Sequence, residues 1–207
     1  MNKLILACIP LCAFLPALAV ASPCTAYNEN YTLNANGATG TLAKVQVING
    51  NNYSITSTIN VSKFFMSKTI VQTATGTCDA NGNIIAQNFS NSNNDNNAGA
   101  ITLGNNELDT LSLVLFLSST LSSNTPTFPV VPLLYNGNTI SVQCAITSVK
   151  ATVTLNGGQI IPATAITCAT ADNAIALNYS FSQDAAHMML AANAIENGTT
   201  TMTAIIN

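Results

Sequence analysis

Arginine and tryptophan are absent from this chain, and its only histidine is His187. Charged side chains make up 6% of the residues, against roughly 25% in an ordinary soluble domain. Each absence excludes something. Beyond the N-terminal segment the only basic side chains are Lys44, Lys63, Lys68 and Lys150. That is too few to neutralise a phosphate backbone, which argues against nucleic acid as a partner. A lone histidine supplies neither a second imidazole for a metal nor a spare base for a serine nucleophile, and no Gly-x-Ser-x-Gly elbow occurs. No Cys-x-x-Cys pair is present, which counts against zinc. The acids are dispersed along the chain, and without tryptophan there is little to grip a sugar between a carboxylate pair. These absences point away from an enzyme and away from a bound metal or cofactor.

Two local motifs invite a chemical reading and have simpler ones. His187 stands near Asp184 and beside Met188 and Met189, a set that would suit copper. A single histidine in a turn before a strand is the simpler reading and the one expected. Asp79-Ala80-Asn81-Gly82-Asn83 resembles the start of a calcium loop, but Ser90 occupies the place of the bidentate glutamate. It reads as a hairpin turn.

What is present begins with an export signal. Lys3 precedes the apolar run Leu4 to Leu18, and Ala19-Val20-Ala21 fits the small-x-small rule for cleavage after Ala21. The run is short and holds Pro10 and Pro16, so no membrane span is expected in the mature chain. Residues 1–21 are thus expected to be a signal peptide and residues 22–207 a single periplasmic domain. Export places Cys24, Cys78, Cys144 and Cys168 in an oxidising compartment as two disulfides. Cys144 and Cys168 lie almost equally far from Asn156-Gly157-Gly158, a hairpin turn that would set them opposite each other. Cys24 then pairs with Cys78.

The mature texture is short runs of Val, Ile, Thr and Tyr punctuated by Asn-Gly, which is strand-and-turn chemistry. Tyr53, Ile55, Ser57, Ile59 and Val61 alternate with Ser54, Thr56, Thr58 and Asn60. Similar runs cover Tyr27 to Ala35, Thr39 to Ile48, Lys68 to Thr77, Asn83 to Phe89, Thr139 to Leu155, Gln159 to Cys168, Ala174 to Phe181, Met188 to Ala194 and Thr199 to Ile206. The apolar phase shifts near Thr147 to Val149, where a bulge or break is expected. One segment differs. From Asn106, a candidate cap, to Leu121 the spacing of Leu108, Leu111, Leu115 and Phe116 predicts a buried, nearly all-apolar helix. Phe89 to Gly99, with Asp95 in an asparagine run, reads as a surface loop, and Ser118 to Pro132 as irregular chain.

The order of these pieces resembles the exported bacterial family catalogued as domain of unknown function 3108. The resemblance rests on the Tyr31 strand leading to Asn36-Gly37 and Gly40, Tyr53-x-Ile55-x-Ser57, Phe64-Phe65, Gly82 with Ile84, Leu108-Asp109-x-Leu111-Ser112-Leu113, and Ser182-x-Asp184 before a final hairpin. Tyr179 and Phe181 stand where that family usually carries tryptophan, and Met188 follows where it carries proline. The resemblance implies a mainly β protein: a curved antiparallel β-barrel or half-barrel with one apolar α-helix near the middle of the chain. In outline it is similar to periplasmic lipoprotein carriers. A non-enzymatic binding protein is therefore expected, holding a lipid or other hydrophobic group on a concave apolar face. Tyr31, Leu33, Tyr53, Ile55, Ile59, Phe64, Phe65, Leu111, Leu115 and Phe116 are the candidate lining residues. The alternative is a structural module of the cell envelope that works through a protein partner.

Overall fold

The computed structural model describes residues 24–79, 81–92, 100–123 and 126–207. The expected signal peptide, its cleavage site, Cys8, Cys12 and the asparagine run with Asp95 lie outside them. Thirteen strands and one helix follow in order: β1 (Tyr27–Ala35), β2 (Ala38–Asn49), β3 (Asn52–Lys63), β4 (Met66–Cys78), β5 (Ile84–Asn91), β6 (Ile101–Thr102), β7 (Leu108–Asp109), α1 (Thr110–Leu121), β8 (Val130–Tyr135), β9 (Asn138–Thr154), β10 (Ile160–Ala169), β11 (Ile175–Ser182), β12 (Met189–Glu196) and β13 (Thr199–Ile206). They form one sheet in the order β6-β5-β4-β3-β2-β1-β13-β12-β11-β10-β9-β8-β7. All pairings are antiparallel except the two-residue β7–β8 contact. The protein is thus mainly β, an open, curved half-barrel with a single described helix.

Local chemistry sets most of this. Asn36-Gly37, Asn136-Gly137 and Asn197-Gly198 all adopt positive φ and join their strands through two-residue turns. That is the backbone a tight hairpin needs to follow the right-handed twist of its strands. Alternation then fixes the inner face: Tyr31 and Leu33 on β1, Tyr53 and Ile55 on β3, and Ala74 and Cys78 on β4 are all buried. Gly76 shares that face for a steric reason. A Cβ there would lie 2.6 Å from the Tyr53 hydroxyl oxygen and 2.2 Å from the Ile85 carbonyl oxygen, so glycine lets the tyrosine ring cross the sheet.

Helix α1 lies on the concave face and touches β3, β4 and β5 on one wing and β7 and β8 on the other. It bridges the two ends of the sheet. Leu111, Leu113, Leu115 and Leu117 are all buried, as an all-apolar helix requires. The two disulfides are Cys24–Cys78 and Cys144–Cys168, the latter between directly opposed residues of β9 and β10. The β9–β10 register slips between Ala151 and Ser148 and again between Ser148 and Ile146, where the apolar phase of the sequence shifts.

Four expectations are corrected. Phe89 to Asn91 are not surface loop but the end of β5, with Phe89 buried in the core. Asn106 does not cap the helix; it sits in a turn at positive φ, and Asp109 caps instead, because Leu108 and Asp109 are drawn into the parallel contact with β8. Within Ser118 to Pro132, Val130 to Pro132 are not irregular but open the strand β8. Pro132 is tolerated there because β8 lies next to the sheet edge, and β7 reaches only Leu133 and Leu134. Phe64 and Phe65 do not face the interior, as described below.

Candidate functional site

The concave face is not uniformly apolar. On β2 the burial is inverted relative to the sequence pattern. Lys44 and Gln46 are each 2% exposed, whereas Val45 and Val47 are 39% and 55% exposed. Register explains the inversion. β2 is held between β1 and β3, whose tyrosines and aliphatics must face inward, and a one-residue slip would turn every side chain over. The burial of a lysine therefore follows from its neighbours.

The same register assembles a polar row. Glu29 on β1 opposes Lys44 on β2, Lys44 opposes Ser57 on β3, Ser57 opposes Gln72 on β4, and Gln72 opposes Asn91 on β5. Five polar side chains from five strands thus cross one wing in line. Apolar rows flank it, with Tyr31, Leu42, Ile59 and Ile70 on one side and Ile55, Ala74 and Phe89 on the other.

A cavity of about 600 Å³ lies between this face, helix α1 and the opposite wing. Lys44, Ser57, Gln72 and Asn91 line it. Leu42, Ile59 and Phe89 supply apolar wall from one wing, Leu134, Leu177 and Met189 from the other, and Leu111 and Val114 from the helix. Asn36, Asn136 and Gly137, exposed turn residues, form one end, where the cavity reaches solvent. There the Tyr135 hydroxyl donates to Glu196 Oε1 at 2.6 Å. Lys44 also borders a second, smaller cavity of about 70 Å³, shared with Tyr27, Glu29 and Gln46.

Lys44 Nζ and Ser57 Oγ are buried without a hydrogen-bond partner. The ammonium lies 5.0 Å from the Tyr27 ring centroid, a cation–π contact. Burial lowers the Lys44 pKa to about 8, against the opposing pull of Glu29 and Asp109. Burial raises that of Glu29. The Tyr31 hydroxyl contacts the Glu29 carboxyl and lies 3.0 Å from the Met189 carbonyl oxygen, so it has one proton for two acceptors. Its proton is shared between the two.

A second buried chain pins the helix. Asp109 Oδ1 accepts from the backbone N–H groups of Leu111 (2.8 Å) and Ser112 (3.0 Å). Ser112 donates its hydroxyl proton to Asp109 Oδ2, so the Tyr53 hydroxyl, 2.8 Å away, donates to Ser112. Both Asp109 and Ser112 are fully buried. Asp109→Ala is expected to cost about 2 kcal/mol, because a cap is lost and buried donors are orphaned. Tyr53→Phe is expected to cost about 1 kcal/mol. Urea unfolding monitored by far-UV circular dichroism measures both. Equal costs would show that the capping carboxylate does not anchor the chain.

Of the residues expected to line a site, Ile59 and Leu111 line the main cavity, and Leu115 lines the smaller one. Tyr31, Leu33, Tyr53 and Ile55 are buried in the sheet face outside the main cavity's lining, and Phe116 packs partly buried against the core. Phe64 and Phe65 form the two-residue turn between β3 and β4 and are 89% and 105% exposed. Neighbouring residues in a turn cannot both reach the concave face. Lys44, Ser57, Gln72 and Asn91 are the functional candidates that the residue-by-residue reading missed. The signal was faint: Ser57 shares its alternation phase with Tyr53, Ile55 and Ile59, and Lys44 shares one with Leu42 and Ile48.

The remaining motifs are absorbed by turns. Asp79 accepts from the backbone of Asn81 and Asn83 through Oδ1 and from the Asn83 amide through Oδ2. His187, at positive φ, places Nδ1 3.2 Å from the Ser182 carbonyl oxygen. Among the described residues no three His, Cys, Asp or Glu side chains gather as a metal site. No family model, curated protein or solved structure matches the chain. Fold and site together define a disulfide-braced half-barrel with a helix-covered cavity.

Proposed function

We propose that the protein is a non-enzymatic binding protein of the periplasm that holds a lipid or another hydrophobic group in its concave cavity. The observation that carries this reading is the cavity itself. Its volume of about 600 Å³ falls within the roughly 300–1,000 Å³ of small-molecule sites, and its wall sets apolar side chains from both wings and the helix beside polar ones, Lys44, Ser57, Gln72 and Asn91 among them. The disulfides suit an oxidising compartment. No helix among the described residues is long and apolar enough to cross a membrane. Kinship with the exported family named above is proposed with it, on the order of the shared motifs.

Native mass spectrometry of protein taken from its own envelope, followed by Nile red titration after delipidation, tests the reading. A mass adduct that delipidation removes, and saturable dye binding that the extracted material displaces, are expected. No adduct together with no saturable binding would remove the proposal.

One observation favours a second reading, an envelope interaction module. At the β3–β4 tip Phe64, Phe65 and Met66 are all exposed, and Phe64 adopts positive φ, a conformation that is costly for a bulky side chain. If this tip binds a protein partner, a pull-down partner that survives delipidation is lost in the Phe64→Ser, Phe65→Ser double variant.

A further inference from the structure

Lys44 and Ser57 are direct cross-strand neighbours on the concave face. Side chains so placed have Cβ atoms about 5 Å apart, close enough for two donors to converge on one group. Both line the main cavity, both are at most 2% exposed, and neither Lys44 Nζ nor Ser57 Oγ has a hydrogen-bond partner. An ammonium has three N–H donors and no acceptor. A buried donor of this kind without a partner is costly, so a fold that retains one is built to give it a partner from outside.

The chemistry of that partner follows from the charges that face it. Lys44 is the only buried cation among the described residues. Asp109 is engaged by the helix terminus and Ser112, and Glu29 by Tyr31. Burial raises the pKa of both carboxyls. One ammonium and one hydroxyl, both without a partner, suit an acceptor carrying one negative charge. A phosphate dianion would need more cations than the row supplies. Lys44 also lies deep. The cavity reaches solvent near the β1–β2 turn, and Lys44 is six residues of β2 beyond Ala38, about 20 Å of strand. Leu42, Ile59 and Leu111 border the way in.

We propose that the cavity takes a single-chain amphiphile with a monocarboxylate head, whose carboxylate accepts from Lys44 Nζ and Ser57 Oγ while its alkyl chain runs toward the mouth. This rests on the binding function proposed above and specifies its ligand class. A volume of about 600 Å³ accommodates a chain of roughly a dozen carbons, at about 30 Å³ per water-sized group with room for imperfect filling.

The test uses delipidated full-length protein and three probes of one chain length: dodecanoate, dodecanol and dodecylamine. Isothermal titration calorimetry at pH 7 is expected to show dodecanoate binding at least tenfold more tightly than dodecanol, with dodecylamine weakest. Lys44→Met is expected to bind dodecanoate and dodecanol equally, and Ser57→Ala to lose a few-fold in dodecanoate affinity only. The comparison of probes on the unaltered protein does not depend on a variant folding. Equal binding of acid and alcohol, or preference for alcohol or amine, overturns the carboxylate assignment and leaves the apolar cavity as a binding site. If no probe binds and Nile red does not bind either, the binding function itself fails.

Discussion

Raising the pH from 7 to about 9.5 is expected to stabilise the ligand-free protein. Lys44 is the cause. Its ammonium loses hydration on folding, and the attraction of Glu29, Asp109 and the Tyr27 ring does not make up the loss. Its pKa in the fold is therefore about 8, against 10.5 in the unfolded chain. Between those values the unfolded chain holds a proton that the native protein has released, so stability rises with pH; below about 8 both states are protonated and the full penalty remains. At about 1.4 kcal/mol per pH unit, the roughly 1.5 units between about 8 and 9.5 give a gain of about 2 kcal/mol. The rise is cut short from above. All five tyrosines have raised pKa values, mainly through burial. Above about 10 the unfolded tyrosines ionise first and stability falls again. Chemical denaturation across this range should show a maximum near pH 9.5. Lys44→Met should abolish the rise. A stability profile that stays flat from pH 7 to 9.5 would mean that Lys44 is not desolvated in the fold.

Replacing Cys24 and Cys78 together by alanine is expected to cost about 4 kcal/mol, the largest loss from any single bond in the molecule. The bond closes a span of 54 residues, from ahead of β1 to the end of β4. Its effect lies chiefly in restricting the unfolded chain, and it grows slowly with the size of the loop. Cys144 and Cys168 span only 24 residues, already opposed by the β9–β10 pairing, so the matching double variant is expected to lose about 3 kcal/mol. Urea midpoints for the two variants, beside the protein reduced with dithiothreitol, give the order. A larger loss from the Cys144, Cys168 pair would show that native contacts, rather than chain entropy, dominate.

Strands with clean alternation were legible in the sequence, because one apolar face needs only a period of two. The turns were legible because Asn-Gly has few other uses. β8 was hidden by its continuous apolar run and by Pro132, which usually argues against a strand. The helix start was misplaced because Asn106 and Asp109 are both good caps, and only the contact with β8 decides between them. The polar row was invisible for a different reason. Glu29, Lys44, Ser57, Gln72 and Asn91 are 13 to 19 residues apart in sequence, and only the register of four pairings sets them in line. On β2 the more apolar face, Val45 and Val47, points outward. Reading that strand alone selects the wrong side.

The sheet order carries a consequence for how the chain reaches this state. β1 to β6 and β7 to β13 are each runs built mostly from hairpins, whose contacts are local and form fast. The two runs meet at β1 and β13, where Tyr31 faces Ile206. Loop-closure entropy places that seam after the hairpins. Until it closes, the walls contributed by Leu42 and Leu177 belong to separate halves, and β1 has a bare edge. The outward face of β1 carries Asn28, Asn30, Thr32 and Asn34, all exposed. Those side chains leave the N–H and C=O groups of the bare edge open, so the interval before the seam closes is when β1 is exposed to pairing with a stray strand.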